Sequence, residues 1–164
     1  MNSNNKQPVI IGVDGGGTKV TAGIIEKHQD IFCLNKSSSN LYYLENPDFD
    51  ISFSPVNMRN QFRELQANEI KPTSAEIAQG KSIINSFRDV ILDLNINSPV
   101  LIGIGMVGLK TSDNRGIGAI ANGPRMPKFC AHLEQLLQDE NIGLKYPIRQ
   151  LGSDADYCGI GEEY

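Results

Sequence analysis

Six consecutive residues, Asp14-Gly15-Gly16-Gly17-Thr18-Lys19, bring together an acid, a bare backbone, a hydroxyl and an ammonium group. Glycine-rich turns expose backbone N–H groups and let phosphate oxygens approach closely. Thr18 and Lys19 add a donor and a positive charge. Asp14 would repel a phosphate directly. It makes sense beside one if it holds Mg²⁺ through water, because that ion typically keeps several of its waters. The stretch therefore reads as a site for the phosphates of magnesium-ATP, with Asp14 as the metal residue. The same residues also suit an ordinary glycine-rich hairpin with a solvated aspartate.

The elements around the motif decide which kind of phosphate site is meant. Val9–Val13 is a short β-branched run, and Lys19–Glu26 resumes an apolar pattern, so both read as strands. The glycines are then a tight turn between strands, where positive φ would favour glycine. A Walker loop is excluded, since it opens a helix. Gly103-Ile104-Gly105-Met106-Val107-Gly108 matches a dinucleotide fingerprint, but no helical pattern follows it, as that site requires. Asp30–Leu34 is expected to be a third strand and 35–46, rich in Ser and Asn, a loop. Ser54-Pro55 is expected to start a short helix carrying Val56, Phe62 and Leu65. Thr73 and Glu76 have capping-box spacing. A helix with Ile77, Ile83, Ile84, Phe87, Ile91 and Leu94 on its apolar face follows. Pro99 precedes the buried strand VLIGIG, and a glycine-containing loop over 103–127 holds a small hairpin near Asp113–Gly116. Phe129, Leu133, Leu136 and Leu137 mark a second amphipathic helix, Ile148–Leu151 a last strand, and a new helix is expected near Ala155. The chain is thus α/β, with a mixed sheet of antiparallel opening strands, later parallel strands and flanking helices.

The D-G-G-G-T-K opening resembles the first phosphate motif of the sugar kinase/actin superfamily. Within it, the chain is most similar to the ROK family, which includes bacterial glucokinases and N-acetylhexosamine kinases. Gly103–Lys110 resembles that family's G-I-G-x-P-G segment, with Val107 at the proline position. Ala119–Phe129 resembles its sugar-contacting loop, and Gly152–Glu163 its N-D-A-N-x-x-x-x-G-E segment. The resemblance implies a ribonuclease-H-like, actin-type ATPase lobe that phosphorylates a sugar hydroxyl, a hexose or N-acetylhexosamine, with ATP and Mg²⁺. It implies Asp154 as general base, accepting the proton of the attacking hydroxyl. Asn122, Gly123 and Ser153 would contact the sugar beside Asp154. Residue types alone leave other roles open: a helix N-cap for Asp154 and an Asn-Gly turn at Asn122. Arg125 could meet an acidic substrate group or be a solvated surface side chain. Two further readings of the resemblance are an ATPase of the BadF/BcrA activator type and a non-catalytic sugar-binding ROK regulator.

ROK kinases are two-lobed and about twice as long, and their later phosphate, adenosine and His/Cys zinc motifs have no counterpart here. Residues 1–8 are expected to be a disordered tail and 9–164 the N-terminal lobe, with the second lobe absent from this chain. The isolated chain is therefore expected to be inactive, and the full-length protein to admit a homodimer. The chain has 164 residues, 40% of them hydrophobic, and a net charge of -4, with basic residues scattered singly, which disfavours a nucleic-acid partner. No apolar stretch approaches ~20 residues, so no membrane partner is expected. Cys33, Cys130 and Cys158 have neither disulfide nor zinc spacing and read as buried, reduced thiols of a cytoplasmic protein. His28 and His132 have no ligand partners at metal spacing, and His132 should face outward on the second helix.

Overall fold

The computed structural model describes residues 7–153. β1 (Val9–Gly15) and β2 (Lys19–His28) form the expected hairpin across the glycines. β3 (Ile31–Tyr42) runs antiparallel to β2. β4 (Val100–Met106) lies parallel to β1 on its other side, and β7 (Leu151–Gly152) is parallel to β4. The sheet order is β3-β2-β1-β4-β7. A separate hairpin pairs β5 (Leu109–Lys110) with β6 (Ile117–Ala119), around the expected Asp113–Gly116 turn.

Helix α1 (Met58–Gln66) packs on β6. α2 (Ser74–Leu92) and α3 (Phe129–Asp139) pack on each other, and α2 also covers β2 and β3. The core lies between sheet and helices. Ile11, Val13, Val20 and Ile104 meet Ile84, Phe87, Ile91, Phe129 and Leu133, all buried. Phe87 and Phe129 cross edge to face at 5.0 Å between centroids. Each such side chain contributes about 1.5–3 kcal/mol by leaving water. The two central parallel strands are the β-branched runs that the sequence marks as buried.

α2 begins with the expected capping box. The Glu76 N–H donates to the Thr73 hydroxyl at 3.2 Å, and the Thr73 N–H donates to the Glu76 carboxylate at 2.9 Å.

Five expectations need correction. The segment 35–42 is strand, not loop. β3 is an edge strand, so its Ser37, Ser38 and Asn40 face solvent while the backbone pairs with β2. α1 is capped by Asn57, whose side chain accepts the Arg59 N–H at 2.9 Å, not by Ser54, and its Phe62 is exposed. Ile77 is 61% exposed and outside the core. The last strand starts at Leu151, because the Ile148 amide is held by Glu134 at 2.7 Å and its carbonyl by Arg115. Cys33 is exposed on the edge strand, whereas Cys130 is buried. Burial pushes the Cys130 thiol up to about 12, so it stays protonated and inert. Cys158 and the helix expected near Ala155 lie outside the described residues.

Candidate functional site

The C-terminal ends of the three parallel strands lie in one row. Asp14 is level with Gly105 of β4, and Gly105 with Gly152 of β7. Loops at this edge are where ligands bind in open α/β sheets. Asp14 is exposed there, one residue before the end of β1 and the β1–β2 turn.

The turn itself is tight: the Gly16 N–H donates to the Lys19 carbonyl at 3.0 Å. Contrary to expectation, none of its glycines has positive φ. Gly15 is required for packing instead, because a Cβ there would run into the Phe87 ring beneath the sheet. Gly17 faces open space. Among the described residues, the Gly17 and Thr18 N–H groups donate to nothing, and Lys19 makes no ion pair. Two unengaged amides, a hydroxyl and an ammonium thus share one exposed turn. That is the donor set an anion needs.

Tyr43 braces this turn from behind. Its N–H donates to the Thr18 carbonyl at 3.0 Å, and its hydroxyl donates to the Gly16 carbonyl at 3.2 Å. Burial, and secondarily the Asp14 carboxylate, push the Tyr43 hydroxyl's pKa upward. It therefore remains a neutral donor at any pH the protein meets.

A cleft of about 470 Å³ opens beside the turn. It runs from Gly17 past Val107 and Gly108 to Ala121 and Asn122, with Met58 of α1 at its wall. Gly108 has φ of 97°, which a side chain rarely tolerates. It leads into the β5–β6 hairpin and not a helix, so the dinucleotide-like glycines make no Rossmann loop. Lys110 holds this bend, its ammonium donating to the carbonyls of Met106 and of Gly108, the latter at 2.9 Å.

Residues far apart in the chain thus converge. Asp14, Gly15, Gly16, Gly17, Thr18 and Lys19 are on one turn, and Gly17 shares a cleft with Asn122. Gly123 is buried against Ile120 and does not line that cleft. Ser153 is half-buried just beyond β7. Asp154 lies outside the described residues. Among the described residues, no cluster of His, Cys, Asp or Glu forms a metal cage. A single exposed carboxylate beside anion-binding amides suits a largely hydrated Mg²⁺ shared with phosphate oxygens.

Arg125 is neither at the surface nor free for a substrate. It is 2% exposed and inserted between helices. Its Nε and Nη2 donate to the two carboxylate oxygens of Glu76, each at 2.7 Å. Its Nη1 donates to Glu64 at 2.6 Å and its Nη2 to the Lys71 carbonyl at 3.2 Å. Burial alone would raise the Glu76 pKa, but hydrogen bonds from Arg125 and Thr73 outweigh it and hold the carboxyl low. Glu64 is also held low, first by the Lys71 N–H and then by Arg125. The capping-box spacing is the sequence's only hint of this cluster, and it reveals one of Glu76's two roles.

Neither a protein-family profile nor a curated protein sequence matches the chain. Solved structures do. The inorganic polyphosphate/ATP-glucomannokinase of Arthrobacter sp. strain KM superimposes with a TM-score of 0.55 at 18% identity, over 95% of this chain and 48% of that one. The chain has a ROK sugar-kinase-like fold. The ROK hexokinase of Thermus thermophilus agrees, at a TM-score of 0.50 and 16% identity, over 94% of this chain and 38% of that one. The actin-like ATPase architecture expected from the opening motif is therefore present. The chain spans half or less of the length of these two structures. Among the described residues, no helix is long and apolar enough to cross a membrane.

Proposed function

We propose that residues 9–164 are the N-terminal lobe of a sugar kinase, which transfers the γ-phosphoryl group of ATP to a hydroxyl of a hexose or N-acetylhexosamine. The observation that carries this reading is the convergence of Gly17 and Asn122 on one cleft beside the strand-end row of Asp14, Gly105 and Gly152. A phosphate cradle and a side chain able both to donate and to accept hydrogen bonds from a polyol then face the same space. The amides of Gly17 and Thr18, with Lys19, would neutralise charge on the phosphates. Asp14 would hold Mg²⁺ through water, and the ion would screen the phosphate oxygens.

Asn122 and Ser153 would orient the sugar. Asp154 follows Gly152 by two residues in the sequence. As general base it would take the hydroxyl proton while the sugar oxygen bonds to the γ-phosphorus and the bond to ADP breaks. Gly123, buried, would shape the loop that presents Asn122. Phosphoryl transfer relies on positioning and on excluding water, which a cleft between lobes supplies. The activity would then belong to the two-lobed protein, and 9–164 alone would turn over little.

The test is ADP release by the intact protein with Mg²⁺-ATP, or phosphoryl transfer from polyphosphate to the sugar, across hexoses, N-acetylhexosamines and ketoses. Release stimulated by one sugar class supports the kinase and names its substrate. ATP hydrolysis indifferent to sugar would instead support the BadF/BcrA-type ATPase. Sugar binding without turnover would support a ROK regulator.

A further inference from the structure

The loop that presents Asn122 is tied at both ends to one helix. At its entry stands Gln61 of α1, fully buried. The Ile120 N–H donates to the Gln61 side-chain oxygen at 2.8 Å, and the Gln61 amide nitrogen donates back to the Ile120 carbonyl at 3.1 Å. The same nitrogen donates to the Val56 carbonyl at 2.6 Å. At the loop's exit, Arg125 is gripped by Glu64, three residues beyond Gln61 on α1, and by Glu76 of α2. Its own N–H also donates to Glu76, at 3.3 Å. Between these anchors only Ala121 and Asn122 are exposed.

Burying an amide and a guanidinium this completely is costly unless every polar atom is satisfied, and here the partners satisfy them. Arg125's planar fork makes four side-chain hydrogen bonds, two of them bidentate to Glu76, a set that a lysine's three donors cannot reproduce. Neither Gln61 nor Arg125 belongs to the apolar core cluster. What both groups do share is the short segment that carries Asn122 into the cleft, whose wall also includes Met58, the first residue of α1.

We propose that Gln61 and Arg125 are positioning residues that make the Asn122 loop a rigid extension of α1, so that α1 sets where Asn122 stands in the cleft. The consequence for catalysis rests on reading Asn122 as a sugar ligand. The loss of rigidity does not.

The test uses the intact protein with Gln61→Leu, which keeps the bulk and removes the amide, and Glu64→Ala, which leaves the Arg125–Glu76 pair in place. Glu64→Gln is the conservative control. Amide hydrogen exchange over residues 120–123 is read together with the KM values for sugar and ATP. Exchange there should quicken by about tenfold in Gln61→Leu, the scale of one lost buried hydrogen bond, while β1 and β4 keep their protection. The sugar KM should rise by about the same factor, with kcat and the ATP KM within about twofold, and Glu64→Gln should restore wild-type behaviour relative to Glu64→Ala. Unchanged exchange at 120–123 in the folded variants would overturn the proposal. So would acceleration spread evenly through the core, or sugar and ATP KM values that rise together. A wild type indifferent to every sugar would defeat the kinase reading alone, and exchange would still decide the clamp.

Discussion

Arg125 shows how one side chain can be misjudged from its neighbours in sequence. It stands three residues after Asn122 in a polar, glycine-containing stretch, which suggests a solvated or ligand-facing cation. The structure buries it against Glu64 and Glu76, with the Glu76 side chain fully excluded from solvent. Removing one member of such a pair leaves an uncompensated buried charge, so Arg125→Met should cost about 3–5 kcal/mol. Arg125→Met combined with Glu76→Gln removes both charges and should recover a large part of that loss; denaturant unfolding measures both. Equal stability of the single and double variants would contradict the charge account. The pH dependence has a definite sign. Glu64 and Glu76 both titrate below their ordinary range in the folded state. Their contribution is complete above the unfolded carboxyl value near pH 4.5 and is lost as pH falls through the folded values. The double variant should therefore lose stability less steeply in acid than the wild type.

Among the elements, the legible ones are those whose surroundings are uniform. β1 and β4 lie in the interior of the sheet and read as short apolar runs rich in Val and Ile, with glycines among them. α2 and α3 each bury one apolar stripe, and the Thr73–Glu76 cap marks where α2 starts. Thr73→Ala should lower stability by about 1 kcal/mol, measured by denaturant unfolding, since it removes the acceptor for the Glu76 N–H. An unaltered midpoint would mean that Glu76 and Arg125 fix the start of α2 without the threonine. Elements with mixed surroundings are the illegible ones. The second half of β3 is polar because an edge strand needs its backbone paired but not its side chains covered. α1 escapes apolar periodicity because the residue it buries most completely is Gln61, engaged by the Ile120 backbone. Even Ile77, in phase with the core stripe of α2, is left exposed one residue past Glu76, which turns its side chain to Arg125. The glycine turn was legible as a turn but for a different reason: Gly15 yields space to Phe87, and no residue of the turn needs a left-handed backbone.

At the scale of the molecule, topology explains how segments about ninety residues apart reach one edge. Parallel pairing brings the ends of β1, β4 and β7 level, so the turn after β1 and the segments after β4 and β7 open on one edge. Order and spacing in the sequence were enough to suggest this shared edge, and the ROK-like fold supplies it. The clamp from α1 was not legible, because it depends on contacts between Gln61 and Ile120 and between Glu64 and Arg125, pairs about 60 residues apart. The central claim is that this edge is a phosphoryl-transfer site with Asp154 as its base. It is tested most directly by steady-state sugar phosphorylation with Asp154→Asn in the intact protein. The account predicts that kcat falls by about 10²–10⁴-fold while the KM values for sugar and ATP stay within a few-fold. An unchanged kcat, with a loss of thermal stability alone, would contradict it and make Asp154 the cap of a helix.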